Sequence, residues 1–180
     1  MNRKYLLLLM IVAFVGAIVV GCQDSAEESR SVITVQSIND NAPVFSDVLS
    51  DSMTVVEDWV DVTFYNRPYN GLVVTGPGMP YNEFLVSRYH IEFTRTDGST
   101  SVPPPFDAAM TSFIESEEFG FATIKLVPAG YKTIAPLSGL VGGGSIDLIA
   151  NITFYGSEVG NTEEKSFTAA VSISAANWSG

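Results

Sequence analysis

The chain has 180 residues, with 20 acidic against 9 basic side chains and a formal net charge of −11. Binding a polyanion requires clustered Lys and Arg to displace its counterions, and the few bases here are scattered, so nucleic acid is excluded as a partner. A single cysteine rules out an internal disulfide, so the fold must rest on a hydrophobic core, for which the 46% apolar content is ample.

Arg3 and Lys4 precede an unbroken apolar run from Tyr5 to Val20, followed by Gly21, Cys22 and the polar stretch QDSAEESR. A basic start, an apolar middle and a small-residue end have the form of a secretory signal. The run falls just short of the roughly 18 to 20 apolar residues a spanning helix needs, and no basic residue follows until Arg30, so a permanent transmembrane helix is the weaker reading.

Val19, Val20, Gly21 and Cys22 resemble the lipobox of bacterial lipoproteins. The resemblance covers residues 1–23 and implies a signal peptide over 1–21, cleavage before Cys22, a diacylglycerol on its thiol and acylation of its new amine. Each buried methylene contributes about 0.8 kcal/mol, so two or more such chains anchor a protein firmly in a membrane. Gln23 stands where the enteric sorting rule places the aspartate that retains a lipoprotein in the inner membrane, which favours the outer membrane. From Cys22 onward, 20 acids face 7 bases, and this acidity keeps the protein soluble and off anionic headgroups.

Residues 22–31 are acidic, lack apolar periodicity and read as a flexible tether, with a single domain over 32–180. Within that domain, period-2 alternation recurs. Tyr89, Ile91 and Phe93 share one face while Arg88, His90, Glu92 and Thr94 share the other, before a Thr96-Asp97-Gly98-Ser99 turn signal. The same pattern predicts strands through Val56 or Val60, Val62 and Phe64; Ala122, Ile124 and Leu126; Ile146 to Phe154; and Phe167 to Ile173. The stretch PPPFDAAMTSFIESEE fits either a short helix with Phe106, Met110, Phe113 and Ile114 inward or a strand. The expected fold class is all-β: an antiparallel β-sandwich of about seven to eight strands, immunoglobulin-like in the loose sense.

The stretch INDNAPVF over 38–45 resembles the calcium-binding linker motif of cadherin repeats. That resemblance makes Asn39, Asp40 and Asn41 candidate calcium ligands, with Asp47 and Asp51 nearby in sequence, because calcium takes hard oxygens on flexible backbone. The bland alternative is an Asx-rich turn that ends the first strand.

Other candidates carry less. His90 is the only histidine and sits on a polar strand face, without the further nitrogen or sulfur ligands of a zinc site. Gly142-Gly143-Gly144-Ser145 leads into a strand rather than a helix, so it reads as a turn and not as a phosphate loop. Glu57, Asp58 and Asp61 read as solvated edge charges that discourage strand addition. The aromatics Trp59, Tyr65, Tyr69, Tyr81, Tyr131, Tyr155 and Trp178 include several in turns or on mainly polar faces, where an exposed ring can stack on a sugar or anchor a protein contact; packing in the core or on the sheet surface is the plainer reading.

The chemistry therefore points away from an enzyme, since no nucleophile, base or metal constellation stands out and no cofactor is implied beyond the candidate calcium. The expected function is a non-enzymatic, membrane-anchored envelope lipoprotein whose sandwich binds an envelope protein or supports an envelope assembly. The alternative is a carbohydrate-binding or calcium-dependent adhesion module.

Overall fold

The computed structural model describes residues 31–69 and 83–178. The signal segment, Cys22 and nearly all of the tether lie outside the described residues, as does Tyr81. The strands are β1 Ser31–Ile38, β2 Val44–Asp47, β3 Asp58–Pro68, β4 Phe84–Arg95, β5 Phe106–Ile114, β6 Phe119–Val127, β7 Ser145–Glu158 and β8 Lys165–Ala176. A single helical turn, α1, spans Ala129–Lys132, and two 3₁₀ segments span Asn39–Asn41 and Leu137–Gly142.

Two sheets pack face to face. One has three strands in the order β1-β3-β6, the other five in the order β2-β8-β7-β4-β5. The chain is thus an all-β sandwich, and every pairing is antiparallel except that of β2 with β8. The alternating residues expected to point inward do so. Val60, Val62 and Phe64 on β3, Tyr89, Ile91 and Phe93 on β4, and Ile146 through Phe154 at every second position on β7 are all buried. Phe64, Phe154 and Phe167 meet at ring separations of 5.1 to 5.8 Å and join the two sheets at their centre. Burying one such ring contributes about 1.5–3 kcal/mol, so this cluster is a major part of the core.

The stretch that fits both helix and strand forms β5. On a helix Phe113 and Ile114 would share the inward face, but here Ile114 is buried while Phe113 is exposed, as strand alternation requires. β1 begins at Ser31, one residue before the expected onset of order. The Ser31 N–H donates to the buried carboxylate of Glu158 at 2.8 Å, and Lys165 Nζ lies 3.3 Å from the same oxygen. Gly143 and Gly144 adopt positive φ just before β7, in keeping with a turn.

Candidate functional site

The alternation that buries Ile124 and Leu126 turns Phe119, Phe121, Thr123 and Lys125 to the outside of the three-stranded sheet. On the neighbouring strand the outward set is Trp59, Asp61, Thr63 and Tyr65, paired in register with Lys125, Thr123, Phe121 and Phe119 respectively. Phe121 is 70% exposed, Trp59 54% and Phe119 53%, and the Tyr65 and Phe119 rings lie 5.1 Å apart. Aromatic rings thus line this face, with polar groups between them. Thr123 Oγ1 donates to Asp61 Oδ1 at 2.6 Å, while Lys125 Nζ bonds Glu57 at 2.6 Å and sits 5.2 Å from the centre of the Trp59 ring. Exposed apolar side chains are ordinary when scattered; here Phe121, Phe119 and Tyr65 adjoin one another, and Trp59 stands beyond the Asp61–Thr123 pair.

Beside this face the sandwich is open. β5 and β6 are consecutive strands lying at the free edges of different sheets. Their connecting turn is clamped to β3 by Asn66, which bonds the backbone of Glu117 and Glu118 and donates its amide to the Ile114 carbonyl at 3.2 Å. Ser112 Oγ also donates to the Phe121 carbonyl at 3.1 Å. Away from that turn the strands diverge around a cleft of about 460 Å³ lined by Trp59, Tyr89, Phe106, Met110, Ala122 and Thr123, among others. At its floor the Tyr89 hydroxyl accepts from the Lys125 N–H at 3.1 Å and donates to the Lys125 carbonyl at 3.0 Å. Burial raises the Tyr89 pKa, which keeps the phenol protonated and able to donate.

The other candidates fall elsewhere. Asn39, Asp40 and Asn41 are brought together as one left-handed turn with φ of 51°, 52° and 62°, closed by the Ala42 N–H on the Asn39 carbonyl at 2.9 Å. Asn and Asp tolerate this conformation better than other side chains, so the turn itself accounts for the sequence. The Asn39 amide donates to the carbonyls of Ala42 and Pro43, and Asp47 Oδ1 accepts from the N–H groups of Leu49 and Trp178. Among the described residues no three His, Cys, Asp or Glu side chains cluster as a metal site.

His90 lies on the outer face of the five-stranded sheet, with Nδ1 3.0 Å from Asp107 and Nε2 3.4 Å from Glu92. Tyr155 lies beneath the Arg88 guanidinium at 3.6 Å, and Trp178 packs edge-on against Phe45.

The acidic trio requires a correction. Glu57 and Asp61 bond Lys125 and Thr123 at the sheet face, but Asp58 is not a solvated edge charge. Its carboxylate receives Lys132 Nζ at 2.7 Å and Ser46 Oγ at 2.6 Å, and its side chain is only 14% exposed. Burial pushes its pKa above the usual carboxylate range, against the lowering effect of the bonds from Lys132 and Ser46.

The exposed phenylalanines escape a search confined to tryptophan and tyrosine. Extending the Ala122, Ile124, Leu126 alternation backwards would have placed Phe119 and Phe121 on the outer face. Compared with known proteins, the chain matches no family model, no curated protein and no solved structure.

Proposed function

We propose that this chain is a non-enzymatic lipoprotein of the bacterial envelope, anchored by acyl chains on Cys22, whose sandwich binds a protein partner through the outer face of the three-stranded sheet. The observation that carries the reading is the set of exposed rings at Trp59, Phe119 and Phe121, with the half-buried Tyr65 against Phe119, beside the open β5–β6 edge. Aromatic anchors set among hydrogen-bonding side chains are the usual composition of the centre of a protein interface. A lipid anchor would hold the protein at the bilayer while leaving this face to a neighbour, with the outer membrane favoured by Gln23. Replacing Phe121 with a photoreactive benzoyl-phenylalanine in the producing cell tests the reading. It predicts a discrete protein adduct from position 121 and none from the exposed Thr168 on β8; equal labelling from both positions contradicts it.

A second reading is carbohydrate binding, supported by the interleaving of these rings with Asp61, Thr63 and Thr123 on one sheet face. Saturation-transfer NMR with envelope glycans, showing contacts to Trp59 and Phe121, is the expected result for that alternative.

A further inference from the structure

The two sheets differ in width. β6 ends the three-stranded sheet, whereas β5 continues the five-stranded sheet, so the inward-pointing Phe106, Ala108 and Met110 of β5 are only half-buried at the cleft. The edge of β6 beside them is unevenly capped. Both backbone groups of Lys125 reach Tyr89, so they point away from β3, and by strand periodicity those of Thr123 and Phe121 point the same way. Ser112 caps the Phe121 carbonyl. Thr123 has neither group capped among the described residues, its N–H and carbonyl turned into the cleft between Lys125, capped at both groups, and Phe121, capped at its carbonyl. An unpaired peptide unit on a strand edge, with apolar pockets beside it, is the recognition surface of an added extended segment.

Charge defines what such a segment carries. The titratable side chains in the cleft lining are Asp107, Lys125 and Tyr89. Lys125, the one basic side chain of that lining, is neutralised by Glu57, while Asp61 accepts from Thr123 on the outer side of the three-stranded sheet and Asp107 faces His90 on that of the five-stranded sheet. Carboxylates therefore outnumber the single lysine on and beside the two strands that bound the cleft, in a chain that is −11 overall.

Building on the protein-binding reading above, we infer that the cleft between β5 and β6 takes an extended segment of a basic protein. One residue of that segment exchanges two backbone hydrogen bonds with Thr123, an apolar side chain covers Ala108 and Met110, and a lysine or arginine faces Asp61 or Asp107. A second copy of this acidic chain is the less complementary occupant.

The test uses the full acylated chain in detergent with two synthetic probes, an alternating valine–lysine octapeptide and its valine–glutamate counterpart. The lysine peptide is expected to shift Trp59 fluorescence and slow hydrogen exchange around Thr123, with affinity at least about tenfold above that of the glutamate peptide, a difference of about 1.4 kcal/mol. Thr123→Pro removes the N–H, and Ala108→Trp fills the cleft from β5 while leaving every residue of β6 unchanged; each is expected to abolish binding. Ala108→Trp keeps the test decisive if Thr123→Pro fails to fold. Equal binding of both peptides, protection at β1 or β2 instead, or binding that survives Ala108→Trp overturns the inference. So does self-association through β6 in place of peptide binding. A null result here combined with a cross-link from position 121 would reject the cleft while leaving the protein-binding face intact.

Discussion

Lys132 and Asp58, 74 residues apart, form a buried ion pair at 2.7 Å, and the same Nζ donates to the Asp47 carbonyl at 2.8 Å. The lysine side chain is 1% exposed. One ammonium thereby ties α1 to the start of β3 and to β2. Removing one partner of such a pair leaves the other charge buried and alone, whereas replacing both with apolar groups is often close to neutral. Lys132→Met is therefore expected to cost about 3 kcal/mol at neutral pH, and Lys132→Met with Asp58→Leu to recover most of it. Urea denaturation of the single and double variants checks this.

The same pair sets a pH dependence. Asp58 has a folded pKa above its unfolded value because of burial, so the stability contributed by its protonated form is present below the unfolded pKa and fades as pH rises through the folded one. Lys132→Met removes the influence that lowers this pKa and raises it further. The cost of that substitution should therefore be largest near neutrality and shrink on acidification, while the pH is still above the ordinary carboxylate range. Glu164 behaves oppositely, since the Arg88 bond holds its carboxyl below the usual range, and its contribution is lost only as pH falls through that lowered value. Thermal melts across the acidic range should show the Lys132→Met deficit fading first and the Glu164→Gln deficit later.

Tyr89 closes one peptide unit on the free edge of β6. Tyr89→Phe removes a donor and an acceptor from the Lys125 backbone, at an expected cost of about 1–3 kcal/mol. Hydrogen exchange at the Lys125 amide should accelerate by more than that at Ile124 or Leu126; uniform acceleration would mean that the hydroxyl acts only through global stability.

Gly156 on β7 lies where the register of β4 shifts between Val86 and Arg88. A Cβ there would strike the Leu85 carbonyl and come within 2.6 Å of the Phe84 ring. Gly156→Ala is expected to destabilise the fold by about 1–3 kcal/mol, because backbone must move to admit it. A lowered urea midpoint with an unchanged slope is the corresponding measurement.

How much of this was legible in the sequence depended on the range of the interactions. Period-2 alternation identified β3, β4, β6, β7 and β8, because one side of each meets a single continuous core. β5 was ambiguous because its apolar residues fit two periods, and only the opposite facing of Phe113 and Ile114 decides between them. α1 is too short to show periodicity, and Lys132 gives no local sign of a partner that only the packed sheets bring to it. The aromatic face was half visible: Trp59 and Tyr65 stood out as candidates, whereas Phe119 and Phe121 were not singled out, although the alternation of Ala122, Ile124 and Leu126 fixes the face on which they lie.

The proposed anchor has its own check. Protein purified from the producing cell should begin at Cys22 and carry the added mass of acyl chains on both thiol and amine, while Cys22→Ser should leave an unprocessed amino terminus and no lipid. A bare sulfhydryl on the wild-type chain would remove the lipoprotein assignment.

The outer face of the three-stranded sheet is the proposed partner-binding surface. The most direct measurement is the native-gel mobility of complexes gently solubilised from the envelope, comparing wild type with a Phe119→Ser, Phe121→Ser variant of matched abundance and melting temperature. A larger assembly is expected for wild type and free protein for the variant. Identical migration of the two would contradict the proposal.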